Sequence, residues 1–252
     1  MAWALQRMKM RNRMRTCGTR RLALLPLMLV AFAACSEPEG AAQESAETVV
    51  DTSSIDRLFA EGFGETANAP IAAAGAEDPR AGIPYSSSSS RRGRVEAALA
   101  DNLATNFSIR FAIADPAEFV RSGKASEVYK RELEARGLPR DTVAGATALM
   151  FGVAWEIANG KKLSPDENAA ILRQATTLLR GNPLERQGDK ERQEAAELRL
   201  ITAGLWLEEA YVRAPFPEQM RELSDAVHGD MKKISNNDLR SKIVTAEGFV
   251  DR

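Results

Sequence analysis

Residues 141–160 read DTVAGATALMFGVAWEIANG, the most apolar stretch behind the N-terminal leader. Ala144, Ala148 and Gly152 recur every four residues. They give one smooth helical face on which a neighbouring helix can pack closely. The stretch is shorter than a bilayer span needs and carries Glu156, so it predicts a central buried helix rather than a membrane segment. Asp141 is placed to cap its start and Gly160 to end it. A helix of this kind must be covered on its whole circumference, and that demands a bundle.

The flanking sequence supplies the partners. RVEAALADNLATNF sets Val95, Leu99 and Leu103 four apart. ASEVYKRELEARG is a short charged helix closed by Gly137 and Pro139. In LSPDENAAILRQATTLLRGNP, Ser164 is the cap, Pro165 opens the first turn and Glu167 completes a capping box. Its apolar stripe is Ile171, Leu172, Ala175, Leu178 and Leu179. DKERQEAAELRLITAGLWLEEAYVRA predicts a long helix with Ala195, Leu198, Ile201, Leu205 and Tyr211 largely on one side, stopped by Pro215. PEQMRELSDAVHGDMKKI follows, with Met220, Leu223 and Val227 facing inward. NNDLRSKIVTAEGFV finishes the chain. FSIRFAIAD alternates briefly at Phe107, Ile109, Phe111 and Ile113, as a strand or an extended approach to the bundle. The expected fold is all-α: a compact helical bundle of five to seven helices over residues 91–252.

Residues 35–90 differ in kind. They are rich in Ala, Glu, Ser, Gly and Pro, and from 36 to 80 Asp and Glu outnumber Arg ten to two. Such a segment buries too little apolar surface to offset its ordering entropy, so a disordered acidic tether is expected, with PYSSSSSRRGR as its flexible close. The stretch SSIDRLFAEGFGE interrupts it. Ile55, Leu58, Phe59 and Phe63 fall on one helical face, either as a short partner-binding helix or as a segment docking on its own domain. Residues 91–252 carry equal numbers of acidic and basic side chains. A neutral domain on an acidic stalk is a poor nucleic-acid binder.

Residues 1–34 have the layout of a signal peptide: seven basic residues by Arg21, then the apolar run LALLPLMLVAFAA at 22–34. Met14 offers a second start. Phe32-Ala33-Ala34-Cys35 resembles the lipobox of bacterial lipoproteins. The resemblance implies that the Cys35 sulfur is diacylated and that cleavage makes Cys35 the new N-terminus, with the membrane as a partner through that lipid. Ser36, rather than Asp, resembles the pattern of outer-membrane-destined lipoproteins. The alternative is ordinary cleavage after Ala33, leaving a secreted or periplasmic soluble protein. A disulfide needs Cys17, the other cysteine, which lies in the leader.

Trp155-Glu156-Ile157-Ala158-Asn159-Gly160, Leu163-Ser164-Pro165 and Glu247-Gly248-Phe249 are similar to an uncharacterised family of exported bacterial helical domains. The resemblance spans roughly residues 95–250. It implies no activity and no catalytic motif.

Motifs for chemistry are sparse. His228 is the single histidine, so any Ser-His-Asp triad would have to use it, and G-x-S-x-G is missing. The Gly-Lys-Lys of ANGKKLS follows a helix instead of a strand and does not make a phosphate loop. H-E-x-x-H and EF-hand loops are missing too. No catalytic, cofactor-binding or metal-ligating residue is assigned. Glu156, beside Trp155, is the carboxyl that a dry cleft would turn into a general acid. It would equally serve as the partner of an arginine. Glu208 and Glu209 beside Trp206 point about 100° apart.

The expected function is therefore a lipid-anchored envelope protein whose bundle binds or assembles with an envelope partner. One alternative is a carboxylate-dependent hydrolase acting on a cell-wall or small-molecule substrate. The other is a secreted helical oligomerisation domain, which requires an exposed apolar stripe.

Overall fold

The structure, a computed structural model, describes residues 82–252. The leader, Cys35, the apolar patch at Ile55–Phe63 and the expected tether through residue 81 lie outside the described residues. The described chain is an all-α domain with eight α-helices: α1 (Ser89–Asp101), α2 (Leu103–Asn106), α3 (Pro116–Arg121), α4 (Lys124–Ala135), α5 (Val143–Asn159), α6 (Pro165–Leu178), α7 (Asp189–Arg213) and α8 (Pro217–Ser235). A 3-10 turn at Leu239–Ser241 leads into two short strands, β1 (Lys242–Thr245) and β2 (Gly248–Asp251).

Helix α5 is the buried centre that its composition predicts, with every residue from Val143 to Ala158 buried. Its cap is Thr142, one residue beyond the expected Asp141. Thr142 has an extended backbone, and its hydroxyl accepts the Gly145 N–H at 3.0 Å. Gly160 ends the helix in the left-handed conformation (φ 64°). Helix α7 shares the centre: Ala195–Leu207 is buried without a break, so its core contact is wider than one stripe, while Tyr211 is exposed. The α6 capping box forms as written. Ser164 N–H donates to Glu167 Oε2 at 2.7 Å, and Glu167 N–H donates to Ser164 Oγ at 3.2 Å.

The smooth face of α5 is not covered by a helix alone. A Cβ on Gly82 would collide with the Ala144 methyl, and one on Gly152 would meet Leu163 at 3.1 Å. Chain segments 82–88 and 161–163 therefore close on that face. A close helix crossing lies elsewhere, where Gly204 of α7 meets the backbone carbonyl of Ala125 in α4.

Two local expectations change, and one left open is decided. The boundary at Ser90 moves toward the N-terminus, because Gly82–Ser88 is already part of the domain. Ala144 N–H donates to the Gly82 carbonyl, Val143 N–H to the Ile83 carbonyl, and Tyr85 N–H to the Asp141 carbonyl, each at 3.1 Å. The two helix donors are first-turn groups that need an acceptor from outside the helix. The serine run ends as a cap, with Ser88 Oγ accepting the Arg91 N–H. Residues 107–113 are extended but form no strand. The C-terminus holds the sheet, an antiparallel hairpin with Ile243 opposite Val250 and Val244 opposite Phe249. Neither strand alternates, since Ile243-Val244 and Phe249-Val250 set apolar residues side by side, so no period of two marks them in sequence.

Candidate functional site

Glu156 is the residue that sequence marks, and it is buried in α5. Gly137 turns the chain after α4 with φ 65°, and Arg136 at that turn reaches across to the carboxylate. Arg136 Nη1 and Nη2 donate to Glu156 Oε1 and Oε2, both at 3.0 Å. Lys162 Nζ adds a 2.7 Å contact to Oε2, and Leu163 N–H donates to Oε1 at 3.0 Å. Arg136 also donates to Glu132 and Asn168. Burial pushes the Glu156 carboxyl up, but the hydrogen bonds and charge of Arg136, joined by Lys162, outweigh it and hold the carboxyl below its ordinary value. A general acid working near neutrality needs the opposite shift. Of the two roles open to Glu156 from sequence, the geometry fits the arginine partner.

A second polar cluster lies between α1, α4 and α7. Tyr129 Oη donates to Glu197 Oε2 at 2.7 Å, and Ser126 Oγ donates to Glu96 Oε1 at 2.6 Å. Gln193 Nε2 faces Glu197 Oε1 at 3.4 Å, and Arg92 approaches it to 3.9 Å. Burial raises the Glu197 carboxyl above its ordinary value, and the charge of Glu96 adds to this. Tyr129, Arg92 and Gln193 pull the other way and do not cancel it. Sequence did not mark these residues. The signal was there in Glu197, a carboxylate inside the largely apolar run AAELRLITAGLWL at 195–207.

Glu209 is fully buried, and Glu208 beside it is half-buried. Glu209 accepts the backbone N–H groups of Ala112 and Ile113 at 2.9–3.0 Å and pairs with Arg213 Nε at 2.9 Å. Arg213 Nη2 in turn donates to the Arg110 carbonyl. One turn into α8's C-terminal half, Asp230 accepts the Ser108 N–H at 3.2 Å and the Ser108 hydroxyl at 2.5 Å. These side chains do for residues 107–113 what a neighbouring strand would do.

His228 Nε2 lies 3.6 Å from Asp238 Oδ1. That carboxylate also accepts the N–H groups of Arg240 and Ser241, so it caps the 3-10 turn. A small, half-open recess lies between α5, α6 and the hairpin, lined by Phe151, Gln174, Leu178, Leu239 and Phe249 among others. Glu156 and Glu197 do not line it. Gln174 already bonds both backbone groups of Phe249, at 2.8 and 2.9 Å. Among the described residues, no group of three or more His, Cys, Asp or Glu side chains could hold a metal ion. The exposed large apolar side chains there are Tyr211, Val212, Phe216 and Ile243, a corner and a single residue rather than a stripe. No described helix is long and apolar enough to cross a membrane.

Trp155 and Asn159 of α5 reach the segment that leads into the hairpin. Trp155 Nε1 donates to the Lys242 carbonyl and Asn159 Nδ2 to the Leu239 carbonyl, both at 3.1 Å. Gly248 turns with φ 100° against Gln174. This is where α5 and α6 receive the hairpin. No family model, curated protein or solved structure matches this chain.

Proposed function

We propose that this chain is a bacterial envelope lipoprotein, anchored through Cys35, whose helical domain works by binding or assembly. The observation that carries the anchor is Cys35 itself, directly behind Phe32-Ala33-Ala34 and a short apolar run with a basic flank. The acidic segment between Cys35 and Gly82 then serves as a spacer from the bilayer, extended by its like charges. The Ser36 that follows the cysteine favours the outer membrane, with the domain facing the periplasm.

The non-catalytic part of the proposal is supported by the way the buried carboxylates are used. Glu156, Glu197, Glu209 and Asp230 each hold a structural partner, and the recess beside the hairpin receives none of them. The hydrolase alternative rested on Glu156, whose carboxyl is held in the ionised form by Arg136.

The test is the intact mass of the protein extracted from membranes, beside a Cys35→Ala variant. The expected result is an N-terminus at Cys35 carrying lipid, with the variant lost from the membrane fraction. An unmodified N-terminus at Ala34, or equal membrane retention of the variant, would overturn the anchor.

A further inference from the structure

The chain enters the domain as a strap, residues 82–88, whose two ends are fixed. At the first end, Ala144 N–H of α5 donates to the Gly82 carbonyl at 3.1 Å, and a Cβ on Gly82 would stand 3.5 Å from Thr176 Oγ1 of α6. At the second, Gln193 Oε1 accepts the Ser88 N–H and Gln193 Nε2 donates to the Ser88 carbonyl. Leu178 follows Thr176 by two residues and lines the recess between α5, α6 and the hairpin. That recess therefore opens on the order of 10 Å from the place where residue 81 joins the fold. Phe151, Leu178, Leu239 and Phe249 make its apolar walls, and Leu178 and Phe249 are only half-buried.

Ahead of Gly82, one segment of the chain suits such a recess. Ile55, Leu58 and Phe59 fall at i, i+3 and i+4, and Phe63 at i+8. That is the spacing of a helix that lays one face into a groove. Ser53, with Asp56 three residues later, is a capping signature directly ahead of the run. Eighteen residues, 64–81, separate Phe63 from Gly82. The r.m.s. span of a coil of that length is about 23 Å. The exposed apolar corner at Val212 and Phe216 is the competing surface. Helix α7 starts beside the strap, where Asp189 accepts the Ser86 N–H, and its 25 residues carry the chain about 37 Å to that corner. The recess lies inside the span of the linker and the corner lies outside it.

Charge points the same way. From Glu44 to Glu65 the chain has six acidic residues, Glu44, Glu47, Asp51, Asp56, Glu61 and Glu65, against Arg57 alone. The half of α6 beside the recess, from Ala170 on, exposes Arg173 and then Arg180 just past its end, with no acidic residue between. At the hairpin, Lys242 pairs with Asp251 at 2.7 Å, and Glu247 stands at the turn. An acidic segment thus meets a basic helix flank.

We propose that the Ile55–Phe63 segment docks in cis, as a short helix, across the recess between α6 and the hairpin, with its aromatic side chains against Leu178 and Phe249. The short linker raises the local concentration of the segment into roughly the millimolar range, so a small contact is enough to hold it. The docking stands whether or not Cys35 carries lipid. In a chain anchored there, it shortens the spacer from residues 36–81 to residues 36–54.

The experiment is photo-crosslinking of the full chain with a benzophenone amino acid in place of Phe59, read by peptide mass mapping. The expected products are crosslinks within one chain to peptides covering 171–180 or 237–251. Crosslinks between two chains, crosslinks to the Val212–Phe216 corner, or no crosslink to the domain each refute docking at the recess. Hydrogen exchange gives an independent reading in the full chain, natural beside Phe59→Ser/Phe63→Ser. Exchange of residues 242–251 relative to α5 is expected to rise about threefold or more in the variant. The same ratio in both proteins would sink the proposal.

Discussion

Arg136 and Glu156 meet fork to fork, two guanidinium nitrogens on two carboxylate oxygens, with both side chains less than one-tenth exposed. The pair ties the end of α4 to the last turn of α5. Arg136→Ala leaves the carboxylate buried with only the half-exposed Lys162 and the Leu163 N–H beside it. Breaking one side of a buried pair costs about 3–5 kcal/mol, and urea unfolding at neutral pH should read a loss in that range. The Glu156 carboxyl titrates below its ordinary value of 4.5 when folded. Its contribution is thus present above 4.5 and lost as pH falls through the folded value. The natural and Arg136→Ala proteins should approach each other in stability at acid pH. A constant gap across that range would refute the assignment.

Glu209 should matter as much, for another reason. Glu209→Ala frees two backbone N–H groups of residues 107–113 and leaves Arg213 buried without its carboxylate. The expected loss is about 3–5 kcal/mol, accompanied by rapid amide exchange at Ala112 and Ile113. Protected amides there in the variant would show that the segment is held by its apolar side chains alone.

Gly204→Ala sets two effects against each other. Alanine gains up to about 1 kcal/mol over glycine inside a helix. The added methyl would run into the Ala125 carbonyl, a backbone atom that cannot swing away, and overpacking costs about 1–3 kcal/mol. The net expectation is a lower melting temperature. A gain in stability would mean that α4 and α7 can separate freely.

Gln174→Ala should act locally. It removes both hydrogen bonds to Phe249, worth roughly 0.5–1.5 kcal/mol each, and the open gap reaches the hairpin recess. Exchange should speed up in residues 242–251 while α5 stays protected. Equal loosening of both would show that the hairpin and the bundle open as one unit.

Much of this architecture was legible in sequence because helices announce their ends. Ser164-Pro165-Asp166-Glu167 specifies its own cap from side chains three residues apart, and Gly160 its own stop. The strap was not legible. A run of five serines has the composition of a linker, and only Gln193, Asp189 and the first turn of α5, all distant in sequence, give it partners. The hairpin was missed for a similar reason: its register is fixed by Gln174 and Trp155 rather than by its own pattern. Glu156 stood out because its neighbours are apolar, yet its role was set by Arg136, twenty residues away and placed by the turn at Gly137. Sequence proposes which side chains are unusual, and long-range partners decide what they do.

The span of the contacts that hold residues 86–113 has a consequence for how the domain is born. Ser86 waits for Asp189, Ala112 for Glu209 and Ser108 for Asp230, separations of 103, 97 and 122 residues. A ribosome delivers the waiting side first. Ser86, Ser108 and Ala112 therefore face water or a chaperone while about a hundred further residues are made, and their closure comes only once α7 and α8 have emerged. Premature termination before α7 leaves Ser86, Ser88 and Ala112 without these partners, and termination before α8 leaves Ser108 without Asp230.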